Sequence, residues 1–222
     1  MNQVDKTFFD AAAAGEVAKV SAMLAQGADV NVINGDSRTA LMRAAKRGHE
    51  QIVRILLDHG ADVTIRDFNG KTAIMGAAKK GHYDIVKMLI EAGSKADVAD
   101  NNGRTALMRA AFLGYPSVCQ LLIDNGANVN AQDDAGRTAL MEACNACNVD
   151  VIRTLLANNA NIDAQDDHGC TALMRVAYSG YKELVQLLLE AGANKDVQDK
   201  AGRTAIHYVR RENFEELKEM LK

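Results

Sequence analysis

Proline is nearly missing from this chain: its 222 residues contain one, Pro116, against seventeen glycines. Cysteine is scarce too. Cys119, Cys144, Cys147 and Cys170 are too few and too unevenly placed for a disulfide framework, which points to a reducing, cytoplasmic setting. No apolar run approaches the roughly 18–20 residues that span a bilayer, and the N-terminus has no basic stretch leading into an apolar segment, so neither a membrane partner nor an export signal is expected. An excess of positive charge is also lacking. With 26 basic and 29 acidic residues the formal charge is −3, which excludes a strongly basic nucleic-acid binder. What remains is a chain with 48% apolar and 25% charged residues, long enough to bury a sizeable core.

The glycines are periodic. Thr39-Ala-Leu-Met, Thr72-Ala-Ile-Met, Thr105-Ala-Leu-Met, Thr138-Ala-Leu-Met, Thr171-Ala-Leu-Met and Thr204-Ala-Ile-His begin at successive intervals of 33 residues. One period earlier, Phe8, Ala11, Ala12 and Gly15 fall on the slots of Leu41, Ala44, Ala45 and Gly48, which makes the N-terminal segment a degenerate seventh copy.

Within a copy, Thr39 stands at an N-cap, Leu41, Ala44 and Ala45 follow at helical spacing, and Gly48 supplies a left-handed stop. Ile52, Val53, Ile55, Leu56 and Leu57 then give a second, antiparallel helix with one broad apolar face, ended at Gly60. Asp67-Phe68-Asn69-Gly70 is a turn that carries the chain out and back before the next threonine. Two short helices bury too little to stand alone, so copies must stack into an all-α solenoid of helix-turn-helix units joined by hairpin loops. Lys19 in the first copy and Lys218 in the last replace inner apolar residues, as capping copies require. The reading is one domain over residues 1–222, with an N-terminal cap over 1–33, five internal copies over 34–198 and a C-terminal cap over 199–222.

The period, the Asp-x-x-Gly-x-Thr-x-Leu hairpin, Gly48-His49 and Gly81-His82, and Gly60-Ala-Asp-Val63 together resemble the ankyrin repeat. Two departures stand out. The family's Thr-Pro-Leu-His is Thr-Ala-Leu-Met in five copies, so Met42, Met75, Met108, Met141 and Met174 form a ladder where histidine would bond the threonine; only His207 keeps the histidine. That ladder is read as apolar stacking in place of a polar network. In the fifth copy Cys147 and Asn159 occupy the slots of the two stop glycines, which predicts a local irregularity there.

Little in the chain points to chemistry. Cys144 and Cys147 have the spacing of a metal or redox pair, yet no second pair exists and Cys144 occupies a core alanine slot. The histidines form no metal pair at helical spacing, and none stands beside a nucleophile. The expectation is a non-enzymatic protein without cofactor or metal.

The resemblance implies that partners are met by the hairpin tips and by exposed positions of the first helices, on a concave groove. By register these include Arg43, Lys46, Arg47, Lys79, Lys80, Arg109, Phe112, Leu113, Arg175 and Tyr178 on first helices, with Phe68, Lys71 and Arg104 on hairpins. The hairpin arginines stand four residues after an aspartate, which would leave that row a solvated, neutralised edge. Residues 34–99 carry 11 basic and 8 acidic side chains, net +3, and residues 100–203 carry 9 and 13, net −4. Exposed apolar groups beside a basic platform fit a protein or peptide with an acidic, partly apolar face. If Phe112 and Leu113 instead fold under Tyr115 and Pro116, they cover the neighbouring turn and the anchor disappears. The expected role is a monomeric adaptor or scaffold. An inhibitor or immunity protein that occludes an enzyme, or an effector delivered into a host cell, is equally compatible with these residues, and a site at Cys144 and Cys147 is the rival of another class.

Overall fold

The computed structural model describes residues 3–222, and it divides into two compact units. The first comprises the chain through Ala106 together with Asp124–Ala127; the second comprises Leu107–Ile123 and Asn128–Lys222. No strand forms among the described residues. None of their helices is long and apolar enough to cross a membrane.

The first unit stacks three helix pairs: α1 (Gln3–Ala14) with α2 (Val17–Ala25), α3 (Ala40–Arg47) with α4 (Glu50–Asp58), and α5 (Ala73–Ala78) with α6 (Tyr83–Glu91). The degenerate N-terminal copy is a full helix pair. Phe8 is completely buried in the slot that Leu41 fills one copy later, and α1 packs on α3. Lys19 stays exposed, as a cap demands. The second unit holds α7 (Ala106–Leu113), α8 (Pro116–Asp124), α9 (Ala139–Asn145), α10 (Val149–Ala157), α11 (Ala172–Ser179), α12 (Lys182–Glu190) and α13 (Phe214–Leu221).

Local chemistry explains the repetition. The Thr39, Thr138 and Thr171 hydroxyls accept the N–H groups of Met42, Met141 and Met174, satisfying one orphan donor of each first helix. Gly48 and Gly180 end α3 and α11 in the left-handed conformation, at φ 83° and 80°. Each second helix buries one stripe, such as Ile52, Val53 and Leu56, or Val151, Ile152 and Leu155. Histidine ties copies together as well: His49 Nε2 donates to the Ala13 carbonyl at 3.0 Å. Asn148 in the equivalent slot does the same with its amide, donating to Ala111 and Phe112 carbonyls at 2.9 Å each.

The hairpins are built by their aspartates. Asp67 Oδ1 accepts the N–H groups of Asn69 and Lys71 at 2.9 Å, and Asp133 and Asp199 repeat the pattern. Four pairs of successive hairpins are then linked main chain to main chain, from the second residue of one to the third of its predecessor: Phe68 N–H to Asp36 O, Asn101 to Asn69, Asp167 to Ala135 and Lys200 to His168.

Several expectations need adjustment. The fifth copy is irregular in residue but not in path, because Cys147 and Asn159 take the left-handed conformation themselves, at φ 55° and 62°. Ser37, in the glycine slot of the first hairpin, does likewise at φ 59°. The methionine ladder is buried, yet it is not wholly apolar: Met174 Sδ accepts the Thr171 N–H at 3.4 Å, standing in for the imidazole that accepts the Thr204 N–H at His207 Nδ1. In the last copy the first helix is replaced by two short 3-10 turns, Ala205–Tyr208 and Arg211–Asn213, with extended residues Val209 and Arg210 between them. Asn213 occupies the stop-glycine slot there at φ −108°, so no left-handed stop forms.

A left-handed cysteine carries a backbone cost of roughly 1–2 kcal/mol, partly offset because glycine has more freedom to lose from the unfolded chain. Cys147→Gly should therefore raise stability by roughly 0.5–1 kcal/mol in urea unfolding. A loss of stability would show that the Cys147 side chain holds that turn.

Candidate protein-binding face

In the first unit the ends of α3 and α5 present a cationic cluster. Lys46, Arg47, Lys79 and Lys80 are exposed, while Arg43 is half-buried with its guanidinium 5.1 Å from the Phe9 ring centre. The Lys46 ammonium is held below its ordinary value, first by burial of its surroundings and then by the like charges of Lys79, Arg38, Lys80 and Arg43. Phe68 stands 69% exposed on a hairpin tip of the same unit. The half-buried Lys71 and Arg104 follow on the hairpins.

The hairpin aspartates do not act uniformly as neutralising charges. They are buried and committed to the backbone turn. Arg38 reaches Asp36 at 3.0 Å and Asp67 at 3.4 Å, and Arg137 and Arg203 pair with Asp133 and Asp199 at 2.8 Å. For those arginines the edge is internally compensated.

In the second unit Phe112, Leu113 and Tyr178 are exposed, at 45%, 39% and 59%, rather than folded beneath Tyr115 and Pro116. Arg109 and Arg175 are half-buried. Arg175 is engaged within the fold, pairing with Asp166 and donating to Asn145 Oδ1 at 3.1 Å. Beside it lies a hollow of about 560 Å³ lined by Arg137, Asn145, Cys170, Arg175, Tyr178 and Tyr208, among others. The Tyr208 hydroxyl donates to Asp199 at 2.5 Å and lies 3.0 Å from Cys170 Sγ. Burial first, and then the hydrogen bond to Asp199, push the Tyr208 phenol above its ordinary range. The hollow uses Arg175 and Tyr178, which the register singles out, but Arg137, Asn145 and Tyr208 join it only through folding. The one sequence signal for it is the lone cysteine at position 170 in an otherwise basic row.

Of the cysteine pair, Cys147 is half-buried just past the end of α9. Cys144 is fully buried, and burial pushes its thiol well up; Cys119 is likewise buried and pushed up to about 12. Among the described residues no group of three or more His, Cys, Asp or Glu side chains is placed to hold a metal ion.

Threonine-capped helix pairs joined by aspartate-built hairpins, with charged and aromatic side chains on one set of helices and tips, define a repeat protein of the interaction type. A family model described as ankyrin repeats (3 copies) matches residues 8–100, 67–133, 89–166 and 130–199. Among solved structures, the chain is similar to the crystal structure of human ASB11 ankyrin repeat domain, with a TM-score of 0.89, 25% identity and 97% of each chain covered. No curated protein matches it. The chain belongs to the ankyrin repeat family, and its fold is the all-α ankyrin-repeat solenoid. Ankyrin repeats are general modules of protein–protein interaction.

Proposed function

We propose that this protein is a non-enzymatic adaptor or scaffold that holds a protein partner by its first-helix face and hairpin tips, and that the partner's surface is acidic and partly apolar. The observation that carries the reading is the exposure of Phe68, Phe112, Leu113 and Tyr178 at those positions. Isolated exposed apolar groups are ordinary, but aromatic groups together with arginine are the composition of interface centres. Steering by the cationic cluster would speed association with an acidic face.

The test replaces Phe68 and Tyr178 one at a time with a photo-reactive phenylalanine analogue, with Tyr83 as the control. Tyr83 is also exposed, at 42%, but begins a second helix. Cross-linking of one protein from positions 68 and 178, and none from 83, is the expected result. Cross-links from position 83 alone would move the contact to the second helices and overturn the reading.

A further inference from the structure

The cations at the ends of α3 and α5 repel one another and stand outside the ion pairs of the first unit. Ion pairs of that unit include Lys19 with Glu16 and Arg38 with Asp36 and Asp67. None reaches Lys46, Arg47, Lys71, Lys79 or Lys80. Cations near a helix C-terminus complement the helix dipole. Here α3 ends in Lys46 and Arg47, and α5 is followed by Lys79 and Lys80.

Gly76 is what permits the crowding. It lies inside α5 without a positive φ, where glycine costs about 1 kcal/mol relative to alanine and no turn requires it. One copy earlier the position holds Arg43. A Cβ at Gly76 would lie 3.3 Å from Lys46 Cβ, closer than most side chains pack, and in ordinary contact with its Cα at 3.7 Å. The missing side chain leaves the Lys46 stem room against α5, and the charges of Lys79, Arg38, Lys80 and Arg43 act on its ammonium. The fold thus gives up helix propensity and accepts like-charge repulsion at one spot, a pattern expected where a ligand supplies the compensating charge.

We propose that Lys46–Arg47 and Lys79–Lys80, drawn together over Gly76, bind an acidic linear segment of a partner protein in which carboxylates recur at every third residue. The proposal rests on the protein-binding reading above and narrows its partner. Packed helices lie about 8–10 Å apart, and an extended chain rises about 3.3 Å per residue, so three residues span the step from one cation pair to the next. Carboxylates at alternate positions would fall out of step with the two pairs.

Two labelled peptides of identical composition decide it by fluorescence anisotropy at low ionic strength, one with glutamate at every third position and one with the same glutamates alternating with alanine. The every-third peptide should bind about tenfold more tightly, and the Lys46→Gln, Lys79→Gln, Lys80→Gln variant should lose about tenfold in affinity. Its urea midpoint should stay level or rise, since repulsion has been removed. Gly76→Ala, which leaves every charge in place, should weaken binding severalfold. Equal binding of the two peptides, full binding by the triple variant, or tighter binding of a single-stranded DNA of equal charge would each overturn the proposal. The outcomes separate from those of the cross-linking test: cross-links from Phe68 and Tyr178 with no peptide discrimination would remove only this inference, whereas spacing-dependent peptide binding with cross-links from Tyr83 alone would remove only the hairpin-tip reading.

Discussion

Phe8→Ala should destabilise the N-terminal copy by about 3–5 kcal/mol, the usual cost of emptying a fully buried phenylalanine site. Phe8 has no exposed surface, and α1, which carries it, packs directly on α3. In a stack where each copy touches only its neighbours, the loss should be spent locally. Hydrogen exchange should therefore accelerate across α1 and α2 first, while α10 and α12 keep their protection. Uniform acceleration through both units would contradict this and show that the chain unfolds as one cooperative body.

Gly136→Ala is expected to cost roughly 2–4 kcal/mol, combining a left-handed alanine with a backbone collision. At φ 73° an added Cβ would lie 2.8 Å from the Asp167 nitrogen and 3.0 Å from Asp166 Cα. Those atoms belong to the next hairpin, whose Asp167 N–H donates to Ala135 O at 3.0 Å. Relief of the collision would have to break that link. Gly202→Ala is the matched control, at φ 75° with nothing within 4 Å of its Cβ, so only the conformational cost of about 1–2 kcal/mol applies. Urea unfolding of the two variants should differ in midpoint. Equal losses would show that the hairpins are not held in contact at that point.

Much of this architecture was legible before folding because each element carries its own punctuation. Thr39, Leu41, Ala44, Ala45 and Gly48 state a cap, a face and a stop within ten residues, and the same code recurs at fixed spacing. The binding positions were legible only as register. Sequence spacing places Lys46 and Lys79 on equivalent slots, but the repulsion between them and the contact of the Lys46 stem with Gly76 appear only when α3 and α5 are packed. Compensation was less legible still. Arg137 reaches back to Asp133, whose carboxyl burial would raise but which hydrogen bonds from the Arg137 backbone and side chain hold below its ordinary value. Lys71, at the equivalent step, has no such partner. Whether a surface charge is free or spent is a property of side-chain reach, and periodicity does not encode it. Cys147, by contrast, adopts a conformation that its own chemistry disfavours because Asn148 and the helices around it fix the path.

Beside side-chain links such as Arg38 to Asp67 and the Asn101 amide to the Phe68 carbonyl, main-chain bonds join hairpin to hairpin from Phe68, Asn101, Asp167 and Lys200 to the tip before each. Those main-chain rungs are blind to side-chain identity. An aromatic, an amide, a carboxylate and an ammonium occupy the same rung without altering it, and proline, lacking the N–H, is the one residue such a rung rejects outright. The tips therefore behave as exchangeable type set in a fixed forme. Recognition can be rewritten letter by letter at these positions, while the aspartates and glycines beneath them keep the line straight.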